Sequence, residues 1–142
     1  MRTVNQLLKQ KPKEVYSVTP NTTVFDTLTL MAKKDIGAVI VMEDEKLVGI
    51  MSERDYARKI ILKGKSSKET LVEEIMTSKI SVIGLENTVE ECMVLMTEKR
   101  IRHLPVIKDK KVLGLISIGD VVKDIIEEQQ FLIKQLEMYI AS

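Results

Sequence analysis

Cysteine and histidine each occur once in this chain, and neither charge sign dominates it. Each shortage closes off a class of function. Cys92 has no partner for an intramolecular disulfide, and with His103 the only histidine there is no Cys/His cluster at metal-ligand spacing. No metal and no obligatory cofactor are therefore expected, and a reducing, cytoplasmic setting fits best. The 22 basic and 21 acidic residues are interspersed and leave a net charge of +1, so no broad basic field exists to hold nucleic acid. Apolar runs are short, and none approaches the roughly 18 residues needed to cross a bilayer. The first thirteen residues carry Arg2, Lys9, Lys11 and Lys13 among few apolar ones, which is not the pattern of a secretory signal.

What is present is a duplication. Residues 15–61 and 80–126 align without a gap at an offset of 65 residues. Identical pairs include Thr23/Thr88, Val24/Val89, Met31/Met96, Gly49/Gly114, Ser52/Ser117 and Asp55/Asp120. With 142 residues and 44% hydrophobic content the chain can build one shared core or two very small ones, each marginal alone.

Both copies have the same order of elements. A β-rich segment, Val15 to Val18 or Ile80 to Ile83, precedes a polar turn and a capping threonine, Thr23 or Thr88. The helix that follows, about residues 24–34 or 89–99, places Val24, Leu28 and Met31, or Val89, Met93 and Met96, on one apolar face. Two aliphatic strands come next, joined by a hairpin turn at Asp44-Glu45-Lys46 or Asp109-Lys110-Lys111. A second helix then starts at Gly49-Ile-Met-Ser52-Glu-Arg-Asp55 or Gly114-Leu-Ile-Ser117-Ile-Gly-Asp120. The connector between the copies is lysine-rich, with Gly64 as a helix stop, and a helix is predicted over Glu69 to Met76 to match a short one at Thr3 to Lys9. From about Asp120 to Ile140 runs a long helix with an apolar stripe. It requires a partner surface, either its own module or a second subunit.

These features carry a family resemblance. Gly, two aliphatic residues and Ser-x-x-Asp occur in both copies, Leu104-Pro105-Val106 follows Arg102-His103, and Ile75-Met76-Thr77 leads into copy two. Together they resemble a stand-alone tandem pair of CBS domains, a Bateman module, over about residues 7–127. The resemblance implies an α+β (mixed α/β) fold. Two β-α-β-β-α repeats, residues 7–66 and 72–127, would pack sheet to sheet about a pseudo-twofold axis, with residues 128–142 as a C-terminal helical extension. It also implies two clefts for adenosine-containing ligands such as AMP, ADP, ATP or S-adenosylmethionine, frequent dimerisation, and regulation of an effector. No effector domain accompanies the repeats here, so the regulated partner is expected to be a separate protein.

The chemistry of the candidate residues fits that implication. An ionised carboxylate can take both hydroxyls of a ribose cis-diol, the role expected of Asp55 and Asp120. Ser52 and Ser117, at the same helix starts, can bond ribose or phosphate. Ser-x-x-Asp is equally a plain helix cap, and the two roles are compatible, since the serine can cap while the aspartate reaches outward. Val15, Tyr16 and Ile50 in copy one, and Ile80, Ser81 and Leu115 in copy two, are expected to frame adenine. By the family pattern Gly37 and Ala38 line the first cleft, and Ile101, Arg102 and His103 the second, together with Thr77 and Lys79. Arg102 and His103 stand where copy one has Gly37 and Ala38, so the second cleft is expected to hold phosphate better. Arg54 either supplies a cation to the first cleft or pairs with an exposed acid. No catalytic constellation is found, and no enzyme activity is expected; Cys92 reads as a small buried residue. The alternative to a nucleotide sensor is a ligand-free assembly module acting through the terminal helix.

Overall fold

The structure is a computed structural model describing residues 2–11 and 14–141. Threonine caps open its two matched helices. Thr23 Oγ1 accepts the Asp26 amide and Thr88 Oγ1 the Glu91 amide, each at 3.1 Å, satisfying a donor that the first helical turn leaves unpaired. Helix α2 (Val24–Lys34) and helix α4 (Val89–Lys99) follow. Each ends on a left-handed residue that is not glycine, Asp35 (φ 54°) or Arg100 (φ 53°). The next amide, of Ile36 or Ile101, then reaches back to the carbonyl of Met31 or Met96 at 3.0 Å. The fully buried rows are Val24, Thr27 and Met31, and Val89, Cys92 and Met96; Leu28 and Met93 lie partly buried beside them. Thr27, at the position of Cys92, is buried without an unsatisfied hydroxyl, since it donates to the Thr23 carbonyl at 2.9 Å.

Strands β1 (Ser17–Val18), β2 (Ala38–Glu43) and β3 (Lys46–Ser52) form one sheet in that order. β1 runs parallel to β2, with Ser17 opposite Ile40, and β3 runs antiparallel, with Ala38 opposite Ser52. Strands β4 (His103–Lys108) and β5 (Lys111–Ser117) form the second sheet. Both hairpins turn on two left-handed residues, Asp44 and Glu45 (φ 50° and 64°) and Asp109 and Lys110 (φ 49° and 65°), the backbone that matches strand twist in a two-residue loop. The leading strands are shorter than expected: Val15 and Tyr16 lie outside β1, and Ile80 to Ile83 supplies one bridge, Ile83 to Val106.

The expected helix over Glu69 to Met76 is not formed; only a 3₁₀ turn, Val72–Glu74, occurs there. Leu71 is extended and bridged to Thr23, and Thr77 is bridged to Ile50, so the segment between them has room for a single turn, in which the amides of Val72 and Glu73 donate to the carbonyls of Thr22 and Pro20 at 2.8 and 3.1 Å. Helix α1 (Val4–Lys9) is its counterpart, with Val4 and Asn5 donating to the carbonyls of Asn87 and Leu85. Val4 thus corresponds to Val72, 68 residues on.

That correspondence explains how the chain divides. One compact unit comprises Val15–Ser81 with Asp109–Val112, and the other comprises the residues up to Glu14, Val82–Lys108 and the remainder from Leu113. They are called here the Asp55 unit and the Asp120 unit. Val72 and Ile75 are core residues of the Asp55 unit, and Val4 and Leu7 are core residues of the Asp120 unit. Gly49 and Gly114 are required where these leading segments cross β3 and β5. A Cβ at Gly49 would stand 2.3 Å from the Met76 sulfur, and one at Gly114 would stand 2.7 Å from a Leu8 methyl.

Helix α3 (Glu53–Tyr56) continues as a π-helical turn, Ala57–Ile61, and the chain then bends at Gly64 (φ 66°). Helix α5 (Ile118–Ala141) has 24 residues and is about 36 Å long. Only Val121 and Asp124 in it are fully buried. No helix among the described residues is long and apolar enough to cross a membrane.

Candidate ligand sites at two helix starts

The two helix starts are built alike. Ser52 Oγ accepts the Asp55 amide, and Ser117 Oγ the Asp120 amide, each at 3.2 Å. In return each carboxylate Oδ2 accepts the serine's own amide, at 3.0 Å for Asp55 and 2.8 Å for Asp120. This is a reciprocal capping box, so the cap reading holds in both copies. One further amide ties each helix to the strand beside it. Glu53 donates to the Gly37 carbonyl at 3.1 Å, and Ile118 donates to the Arg102 carbonyl at 2.8 Å. Gly37 and Ala38 are thereby gathered at Ser52 and Asp55, and Arg102 at Ser117 and Asp120.

The cations differ. Asp55 Oδ1 lies 3.1 Å from Lys59 Nζ, one helical turn on, and accepts a bond from the Thr77 hydroxyl at 3.2 Å. Lys59 also donates to the Ile75 carbonyl at 2.7 Å. Asp120 Oδ2 instead holds the ammonium of Lys11, which donates in addition to the Leu115 carbonyl at 2.7 Å. The duplication places Asp124 where copy one has Lys59. Asp124 is buried against Arg2 Nε at 2.9 Å, and burial raises its carboxyl above the ordinary value despite that guanidinium.

Electrostatics separate the groups of the Asp120 unit. Asp120 stays below the usual carboxylate range: burial opposes its charge, but the bonds from Lys11 and Ser117 outweigh that. His103 is pushed below its ordinary value of 6.5, first by burial, with Lys11 and Arg102 adding repulsion and Asp120 opposing. Its imidazole is neutral near pH 7 and can both donate and accept. Cys92 is fully buried, and burial lifts its thiol to about 11, so it is no nucleophile.

The other expected residues lie in varied surroundings. Thr77, expected with the second set, belongs to the Asp55 unit; its amide and carbonyl pair with Ile50 at 2.8 and 3.0 Å. The leading segment that carries it packs on copy one, for the reason given above. Lys79, Ile80 and Ser81 are also in the Asp55 unit, and Lys79 is exposed. Tyr16 packs at the edge of the Asp55 core with Lys34 Nζ 5.1 Å from its ring centre, and Val15 is half-buried. Ile101 closes α4, while Arg54 and Arg102 are exposed. Lys59 and Lys11 were not among the expected site residues. Lys59 carried a signal, its four-residue spacing from Asp55; Lys11 lies 109 residues from Asp120 and carried none in local sequence. A depression of roughly 370 Å³ at the other end of β2 is lined by Glu43, Asp44 and Glu73, a poor setting for an anion.

A sequence model of the CBS domain matches residues 12–62 and again 72–127. The chain belongs to the CBS domain family. Its fold is that of known CBS-domain pairs. A CBS-domain protein from Burkholderia ambifaria MC40-6 superposes with a TM-score of 0.87 at 52% identity, over 89% of this chain and 96% of that one. CBS domain-containing protein CBSX3, mitochondrial, of Arabidopsis thaliana is 42% identical over 147 residues, 97% of this chain and 71% of the relative. The CBS domain pair of protein MJ0100, in complex with 5-methylthioadenosine and S-adenosyl-L-methionine, shares the fold at 22% identity and a TM-score of 0.80, covering 90% of this chain and 98% of that one.

Proposed function

We propose that this CBS pair is a regulatory module that binds an adenine nucleotide and passes the occupancy of its site to a separate partner protein. The observation that carries the reading is the Asp120 helix start, where one carboxylate, a capping serine, neutral His103 and the cations Lys11 and Arg102 gather in one unit. Asp120 accepts the Lys11 ammonium and the Ser117 amide on Oδ2, so one ribose hydroxyl is expected at Oδ1 and the second contests Oδ2 with Lys11. Arg102 and Lys11 suit phosphate, and the helix start favours an anion. These groups favour AMP, ADP or ATP over S-adenosylmethionine, whose sulfonium is cationic, although the MJ0100 pair holds that ligand. We assign Ser52, Asp55, Gly37 and Ala38 to a weaker second site. The module itself is read as non-catalytic, and as cytoplasmic.

Titration calorimetry tests the reading. AMP or ATP is expected to bind more tightly than about millimolar, and Asp120→Ala to weaken binding at least about tenfold, the scale of losing a charge-assisted acceptor. Absence of binding by every adenosine ligand, or an unchanged affinity in Asp120→Ala, would sink it.

A second reading, compatible with the first, is self-association through α5. Phe131, Leu132, Ile133, Leu136, Tyr139 and Ile140 are between 53% and 80% exposed in the single chain, so packing on its own module does not cover them. A homodimer through this stripe is the assembly it favours.

A further inference from the structure

The lysine on Asp120 comes from a different part of the chain than the lysine on Asp55, and this gives the two helix starts different consequences. Lys59 lies one turn beyond Asp55, and its ammonium bridges the carboxylate to the Ile75 carbonyl, while Thr77 of that same segment donates its hydroxyl to Asp55 Oδ1. Lys11 follows the end of α1, four residues before Val15, where the chain enters the other unit. Its ammonium takes the carboxylate expected to hold ribose and also the carbonyl of Leu115, a residue expected to frame adenine. Both acceptors lie on elements that follow directly in sequence, β5 and α5. Two bonds from one flexible side chain thus hold the connector against the place where a nucleoside would sit. The Lys11 side chain is 28% exposed and that of Asp120 23%. A pair so placed is weak enough for a ligand to exchange, yet strong enough to bias the free state.

We propose that Lys11 is an internal competitor for Asp120: a ribose diol binding this carboxylate displaces the ammonium and releases the segment leading into the other unit. The inference rests on the nucleotide reading above and deepens it by naming the residue through which occupancy is transmitted. At Asp55 the contacts with the outgoing segment are the neutral Thr77 hydroxyl and the Lys59 bond to the Ile75 carbonyl, so the ammonium that a ribose would displace there comes from the helix itself and not from the segment. The released lysine then becomes available to a phosphate, which makes a phosphate-free nucleoside the cleaner probe.

The test uses the full chain with adenosine, in wild type, Lys11→Met and Lys11→Gln. Thermal melting verifies that each variant is folded, and the glutamine variant stands in if the methionine variant is not. Calorimetry is expected to show adenosine binding several-fold tighter in the variants, up to about tenfold, because the internal rival is gone. Hydrogen exchange gives a second readout. The amides of Gln10 and Lys11, bonded to the carbonyls of Leu7 and Leu8, should exchange faster when adenosine binds wild type. Equal or weaker adenosine binding in both variants, or unchanged exchange at those amides, overturns the latch while leaving nucleotide binding intact. No binding of adenosine or AMP to any of the proteins overturns the nucleotide reading and the latch with it.

Discussion

His103 is the residue whose charge state most directly couples the Asp120 site to pH. Burial holds its folded pKa below 6.5, while the unfolded chain returns it to the ordinary value. Between those two values the unfolded state binds more protons, so stability rises with pH there. Its contribution is complete above about pH 6.5 and is lost as the pH falls through the window beneath. Urea unfolding at about pH 5.5 and about pH 7.5 should therefore show wild type losing stability at the lower pH, and His103→Gln losing measurably less. Equal losses would mean that His103 is not the group responsible. The serines and aspartates of this site were legible in sequence because a constant 65-residue register repeats them. Lys11 was not, since a contact across 109 residues leaves no periodicity to read. The exchange of Lys59 for Asp124 is visible in that register, but its effect on where each site obtains its cation is not.

Among the elements, the strands β3 and β5 are where sequence and structure meet most closely. A glycine in each was visible, but its cause was not, because it lies in a segment from the opposite end of the repeat. Adding a methyl at Gly114 drives it to 2.7 Å from a Leu8 methyl, a contact that must be relieved by moving the Leu8 side chain or the α1 that carries it. Gly114→Ala should therefore cost about 1–3 kcal/mol in denaturant unfolding, the usual scale for overpacking. Combining it with Leu8→Ala should cost less than the sum of the two single changes, since the small residue removes the clash. Strict additivity would show that the glycine is needed for some other reason. The same crossing explains why a helix was expected over Glu69 to Met76 and only one turn formed. The apolar residues Val72 and Ile75 of this stretch are buried. Helical spacing, however, says nothing about the bridges of Leu71 to Thr23 and of Thr77 to Ile50, which confine the helix to one turn. The capping threonines and hairpin turns were legible because their causes are local.

At the scale of the whole molecule, the exposed stripe of α5 is the candidate assembly surface. Sequence patterning left two covers open for its stripe, and the structure removes one of them. The helix is anchored by Val121 and Asp124 and then runs on with its later apolar residues uncovered. Leu132, Leu136 and Tyr139 follow a four-and-three spacing, with Ile133 and Ile140 alongside, the seam that a second amphipathic helix fills. Phe131 and Met138 widen the apolar face beyond a narrow seam, so the surface to be covered is larger than one helix stripe. Leaving such a face in water costs roughly 25 cal/mol per Å² of apolar surface, which association recovers to an extent that rises with concentration. Sedimentation of the full chain should therefore give an oligomer that dissociates on dilution, and deletion of residues 128–142 should leave a folded monomer, because the cores of both units lie outside that stretch. A full-length monomer at high concentration, or an oligomer unchanged by the deletion, would remove α5 as the assembly surface. If the truncated monomer still binds AMP as the full chain does, ligand binding and assembly are separable properties. A loss of affinity on truncation would instead mean that assembly completes the site.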